Sequence, residues 1–195
     1  MAKVLHLYCH PLPDSFHAAI RDAARRGLEQ AGHSIDLLDL YGEGFAPALT
    51  ADERRRYYDV KTNRAGLDAY AARLEAAEVL VLQFPTWCFG PPAMIKGFVD
   101  RLMLPCLAFD ISDGRTVRPL LGHVRRIVGI VTYGQTRLQV LAAGDHPRRF
   151  VTRHVRWIAS PRARSTYLAL YGMDRASAAR RAAFLDEVRQ RMARL

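Results

Sequence analysis

The sequence has 195 residues, half of them apolar, enough for one domain with a sizeable core and too little for an expected second one, so residues 1–195 read as a single unit. The formal charge of +10 would suit an anionic partner, but lysine occurs only at Lys3, Lys61 and Lys96. The remaining basic charge is arginine spread over several segments, with no basic tract interleaved with aromatics, so nucleic acid is not the expected partner.

No apolar run approaches the roughly 20 residues that span a bilayer, and the start of the chain does not read as a signal peptide. Cys9, Cys88 and Cys106 form neither a disulfide framework nor a paired thiol motif, and the histidines are scattered, so no metal is expected. A soluble cytoplasmic protein fits these features.

In chain order, residues 3–9 (KVLHLYC) read as a short apolar strand, followed by a His-Pro loop and a helix from about Asp14 to Ala31 that stops at Gly32. Residues 34–40 form a second strand and 41–49 a loop, and Thr50 caps a short helix over ADERRRYY. Leu67, Tyr70, Leu74 and Ala77 have helical spacing and lead into a strand at 79–84. A Pro/Gly/aromatic turn, FPTWCFGPP, opens a helix from about Pro92 to Leu104. The connection from Phe109 to Gly122 carries turn signals at Asp113-Gly114 and Pro119. A fourth strand spans 125–132, helical segments span 136–143 and 147–159, a fifth strand spans 165–171, and a helix runs from about Arg175 to Met192. Strands that are apolar throughout and alternate with helices predict an α/β fold, a parallel sheet with helices on both faces, and a strand order of 2-1-3-4-5. In that order the loops after the first and third strands flank the point where ligands bind.

The first of these loops, HPLPDSFHAAI, puts Ser15 and the backbone of Phe16 and His17 at a helix start suited to a phosphate, with His10 reaching in from the other side. Asp14 or Ser15 could equally be a plain N-cap. No G-x-G-x-x-G follows the first strand, which argues against a dinucleotide fingerprint. The second loop offers aromatic rings to a flat heterocycle and backbone N–H groups to its polar edge, with Pro85 and Gly90-Pro91-Pro92 holding it rigid. The lesser alternative is that Trp87 and Phe89 cap the sheet's end as ordinary core. The third loop, TYGQT at 132–136, faces the same crevice, and Gly134 allows close backbone approach.

Together HPLPDSFH, QFPTWCFGPPAMIKGFVDR with the following LAF, and TYGQ resemble the three loop motifs of the flavodoxin-like NAD(P)H:quinone oxidoreductases. That group includes mammalian quinone reductases, bacterial modulators of drug activity and potassium-efflux ancillary oxidoreductases. The resemblance implies a flavodoxin-like three-layer α/β/α sandwich with a five-stranded parallel sheet. It also implies an enzyme that binds FMN or FAD, takes a hydride from NAD(P)H in a ping-pong cycle and passes two electrons to a quinone-like small molecule, usually as a homodimer. FMN is favoured over FAD because the chain ends soon after its fifth βα unit.

Carried over by position, His10, Ser15 and Phe16 would meet the flavin phosphate, with His17 standing where the family has an asparagine. Pro85, Thr86, Trp87, Cys88 and Phe89 would surround the ring, Cys88 replacing a tryptophan of mammalian members. Thr132, Tyr133, Gly134 and Gln135 stand for the family's Thr-Thr-Gly-Gly. The family's Tyr and His relay positions fall on Val140 and His146, making His146 the candidate catalytic residue; it reads equally as an exposed helix-start residue. Phe109 and Ile111 replace two tyrosines and, with Phe89, would give a more apolar substrate pocket. The alternative from another class is a flavin-binding regulatory protein that docks on a transporter or other partner, or on a membrane surface, with little turnover of its own. The basic surface argues against a one-electron carrier.

Overall fold

The computed structural model describes residues 1–112 and 114–195. Along the chain, β1 (Lys3–Tyr8) leads to α1 (Phe16–Gln30) and β2 (Ser34–Asp39). Next come α2 (Ala51–Arg56), α3 (Asp68–Ala76), β3 (Val79–Pro85) and α4 (Ala93–Leu102). A two-residue hairpin follows, β4 (Phe109–Asp110) and β5 (Arg118–Pro119), and then β6 (Arg126–Tyr133) and α5 (Arg137–Ala142). The helical stretch α6 (His146–Arg149) continues through a π-helical turn, Phe150–Val155, into α7 (Arg156–Ala159). The chain closes with β7 (Arg164–Tyr171), a 3₁₀ turn and α8 (Ala178–Met192).

The main sheet is parallel throughout, in the order β2-β1-β3-β6-β7. With the hairpin set aside this is the expected 2-1-3-4-5. The hairpin itself was not expected, since two-residue strands carry no periodicity to read, and Asp113 of the anticipated turn lies outside the described residues. The single predicted helix over 147–159 begins at His146 and changes to wider π turns midway. The last helix starts at Ala178 rather than near Arg175, because Ser177 caps it by accepting the Arg180 N–H.

Every residue of β3 is buried, as a strand covered by helices on both faces requires. Alternation along the central strands divides the core. Leu80, Leu82 and Phe84 of β3 and Ile127 and Val131 of β6 face α3 and α4, whereas Val79, Val81, Val128 and Ile130 face α1 and α8. Two glycines let backbones close on one another. A Cβ at Gly27 of α1 would lie 2.3 Å from the Arg189 carbonyl of α8, and one at Gly97 of α4 would lie 2.2 Å from the Pro47 carbonyl of the loop crossing that helix. That loop is also held by Arg101, whose guanidinium donates to the Ala46 carbonyl and to buried Glu53. Burial pushes the Glu53 carboxyl up, but the bonds from Arg101 and Thr50 outweigh it and hold the pKa below its ordinary value.

Candidate active site

A buried hydrogen-bonded chain lies under the carboxyl ends of the central strands. His6 of β1 donates from Nε2 to Gln83 Oε1 of β3 (2.9 Å), and Gln83 Nε2 donates to the His17 carbonyl (2.6 Å), with the His17 Nδ1 3.3 Å away. His17 Nε2 in turn reaches Thr132 Oγ1 at the end of β6 (2.8 Å). Because the amide donates toward Nδ1, His17 carries its proton on Nε2 and donates it to Thr132. Burial drives the His17 imidazole pKa down to about 3, helped by the neighbouring His10, and that of His6 to about 4. Both rings are therefore neutral at physiological pH.

The rings of His17 and Thr132's hydroxyl thus face inward, and neither side chain is open to a ligand. At these positions only backbone is left to meet a cofactor. His10 stacks on His17 at 5.5 Å between ring centres, with the planes 13° apart, and its Nδ1 accepts the Leu12 N–H.

At the head of α1, Ser15 is the N-cap, accepting the Ala18 N–H at 3.3 Å. The N–H groups of Phe16 and His17 have no partner among the described residues, the usual state of a helix's first turn. Such a turn accepts an anion readily.

The second loop is a tight turn closed by two backbone bonds, Trp87 N to Gly90 O (3.1 Å) and Gly90 N to Trp87 O (2.9 Å). Its central residues, Cys88 and Phe89, have φ of 48° and 60°, the left-handed region that normally calls for Asn or Gly. Holding two ordinary residues there costs on the order of 1 kcal/mol or more apiece. Trp87 and Phe89 are 43% and 40% exposed, so they do not cap the core. Pro85 is buried in the register of Thr132, and the Thr86 N–H bonds the Thr132 carbonyl at 2.9 Å, tying this loop to the third. Thr86, Cys88, Phe89, Tyr133, Gly134, Gln135 and Val140 line a cleft of about 160 Å³. The N–H groups of Cys88, Phe89, Gly134 and Gln135 are unbonded among the described residues.

Behind the third loop lies a cluster that sequence reasoning missed. The Tyr133 hydroxyl donates to Asp145 Oδ1 (2.7 Å) and lies 2.5 Å from the Tyr167 hydroxyl. Arg148 donates to Asp145 Oδ2 (3.0 Å) and to the Tyr171 hydroxyl (3.3 Å), and its guanidinium sits 4.5 Å over the Tyr167 ring. Tyr133 also stacks on Tyr171 at 4.7 Å. Burial raises the Tyr133 phenol far above its ordinary pKa, and Tyr167 and the Asp145 carboxylate raise it further, so it remains a hydrogen-bond donor. The Asp-His-Pro at 145–147 signals a helix start in sequence, but the left-handed φ of 45° that turns Asp145 inward is not readable there.

His146, next to Asp145, is exposed and does not line the cleft, whereas Val140 does. Phe109 lies apart from Phe89, in a separate groove of about 340 Å³ with Tyr57, Val99, Met103, Val117, Trp157 and Ile158. Ile111, half-buried, lines neither cavity. The expected substrate pocket of Phe89, Phe109 and Ile111 is therefore not assembled within one chain.

Three loops meet at the carboxyl edge of a parallel sheet of order 2-1-3-4-5, and a family model described as a flavodoxin-like fold matches residues 2–194. The chain belongs to the flavodoxin-like fold family. This flavodoxin-like protein is 29% identical over 125 residues to ribosyldihydronicotinamide dehydrogenase [quinone] of Rattus norvegicus, covering 56% of this chain and 54% of that one. It is 32% identical over 132 residues to FMN-dependent NADH:quinone oxidoreductase 1 of Bradyrhizobium diazoefficiens, covering 62% and 64%. The solved NAD(P)H:quinone oxidoreductase of Methanothermobacter marburgensis superimposes with a TM-score of 0.84 over 98% of both chains at 24% identity, a likeness of fold. The chain spans about half the length of the first curated relatives it matches.

Proposed function

We propose that this flavodoxin-like protein is an FMN-dependent NAD(P)H:quinone oxidoreductase. The observation that carries the proposal is the Trp87–Gly90 turn, in which two non-glycine residues are held left-handed beside Gly134 and Gln135. Strain of that kind persists where function requires a particular backbone shape. The turn presents free N–H groups together with two exposed aromatic rings, a combination suited to a flat heterocycle with a polar edge.

The chain fits the cofactor at both ends. Ser15 and the free N–H groups of Phe16 and His17 would hold the phosphate, and a neutral His17 adds no charge of its own there. The N–H groups of Cys88 and Phe89 and the exposed amide of Gln135 would bond the ring's polar edge, and Trp87 and Phe89 would flank it. When bound, the flavin accepts a hydride from NAD(P)H and passes two electrons to a quinone-like acceptor. The chain's part is to fix orientation and to keep N–H donors aimed where negative charge grows on reduction, donors that need no rearrangement at that moment. Tyr133 would hold Gly134 and Gln135 from behind through its bonds to Asp145 and Tyr167. Leaving one ring face open would let nucleotide and acceptor use it in turn, a ping-pong cycle.

A homodimer belongs to the same proposal. Trp157 is 62% exposed over the groove that holds Phe109, an exposed apolar surface of the kind a second copy would cover. Relatives named as oxidoreductases support catalysis over a purely regulatory role. No helix among the described residues is long and apolar enough to cross a membrane, which fits the proposed cytoplasmic location.

The test is the visible spectrum of the purified protein, followed by extraction of the chromophore and NAD(P)H oxidation with a benzoquinone. Bound FMN with steady turnover is expected. No flavin after incubation with FMN and FAD would end the proposal, and bound flavin without turnover would return the docking role.

A further inference from the structure

At the opposite end of the sheet, the segments leading into β6 and β7 line an open groove of about 340 Å³ that the proposed function does not use. Arg125, Arg126, Arg162 and Arg164 line it. Arg126 and Arg164 are register partners across the β6–β7 ladder, so two like charges occupy neighbouring positions, an arrangement that is destabilising by itself. Arg125 has a carboxylate nearby, Glu78 Oε2 at 3.0 Å. Arg126, Arg162 and Arg164 make no side-chain hydrogen bond or ion pair among the described residues. Ser160, only 2% exposed, forms part of the same wall, and its hydroxyl also has no partner among the described residues. A hydroxyl and three guanidinium groups that no group among the described residues engages thus face one groove.

We propose that this groove binds a small anion bearing a pyrophosphate group, either free or carried by a nucleoside diphosphate. Planar guanidinium forks match phosphate oxygens two at a time, and such charge-assisted bonds are the strong ones. A singly charged anion would leave most of the local positive charge unbalanced, whereas a pyrophosphate neutralises the paired arginines and still offers an oxygen to Ser160. The volume falls at the lower end of ligand cavities, enough for the diphosphate and part of its attached group. β6 runs eight residues between this groove and the third loop, roughly 25 Å at about 3.3 Å per residue, so the anion would not touch the candidate active site. The inference stands apart from the flavin reading.

The experiment is a calorimetric titration of inorganic pyrophosphate at constant ionic strength into protein pre-incubated with FMN, so that the head of α1 is occupied. The titration is repeated on Arg126→Gln/Arg164→Gln and on Ser160→Ala, each checked for folding by circular dichroism. Saturable one-to-one binding is expected, weakened at least about tenfold in the arginine variant and less in Ser160→Ala. Without anion, the arginine variant should melt at a higher temperature than the parent, since the repulsion is relieved. ADP binding as tightly as pyrophosphate would point to a nucleotide, and pyrophosphate alone to the free anion; both support the site. The proposal is overturned by absence of saturable heat, by equal affinity in the folded arginine variant, or by a response that chloride reproduces. Because the readout is dependence on arginines remote from the three loops, it holds whether or not FMN binds.

Discussion

The buried histidines make acid stability a quantitative test of the polar chain beneath the loops. His6 and His17 have folded-state pKa values of about 4 and about 3, against an ordinary 6.5. As pH falls through 6.5 the unfolded chain takes up two protons that the folded chain refuses, so stability is full above about pH 6.5 and is lost as pH falls toward 4 and 3. Each pH unit costs about 1.4 kcal/mol per histidine. At about pH 4.5, two units below 6.5, the pair together removes about 5 kcal/mol, a large part of an ordinary domain's 5–15 kcal/mol. Urea unfolding followed by circular dichroism at intervals from pH 7 to 4.5 measures the slope. His6→Gln/His17→Gln keeps hydrogen-bonding side chains that do not titrate, so its slope over this range should be flatter by nearly two protons. Parallel slopes in the parent and the variant would refute the reasoning, because the two imidazoles would then be exchanging protons with solvent in the folded state.

Four further outcomes follow from the geometry. Phe89→Gly relieves a left-handed strain and should raise stability by up to about 1 kcal/mol in urea unfolding while weakening FMN retention in dialysis. Tyr133→Phe leaves the Asp145 carboxylate short of a donor and should cost about 2 kcal/mol in thermal unfolding, with Tyr167→Phe milder. Gly97→Ala drives a methyl into the Pro47 backbone, and a loss of about 1–3 kcal/mol is expected in chemical denaturation. His146→Ala should change turnover by far less than the roughly 100-fold that loss of a general acid or base brings, because the ring is exposed and outside the cleft; steady-state kinetics with a benzoquinone decide this.

The strands were legible in sequence because a parallel sheet buried on both faces leaves continuous apolar runs, as in VLVLQFP and RIVGIVTY. The three loops were legible because Pro, Gly and capping residues punctuate them. What escaped is set by tertiary contact. His17 lies 115 residues from Thr132, and nothing local says that its ring turns into the core instead of toward a ligand. The same holds for Tyr133, which sits in a loop motif yet bonds Asp145 and Tyr167 from inside. Phe109 misled for a related reason: position in a motif places a residue along the chain, not in a particular cavity.

The chain from His6 to Thr132 also has a consequence for how this scaffold could change. The loops at 10–17 and 132–136 are joined directly by the His17–Thr132 bond, and Gln83 braces His17 from beneath, so grafting either loop from a relative without the other would strand buried donors and acceptors. The Trp87–Gly90 turn closes on itself and, among the described residues, is tied to the third loop by the Thr86 N–H, which bonds the Thr132 carbonyl. It is the module that can be exchanged alone, and the place where a library of new acceptor preferences should be built.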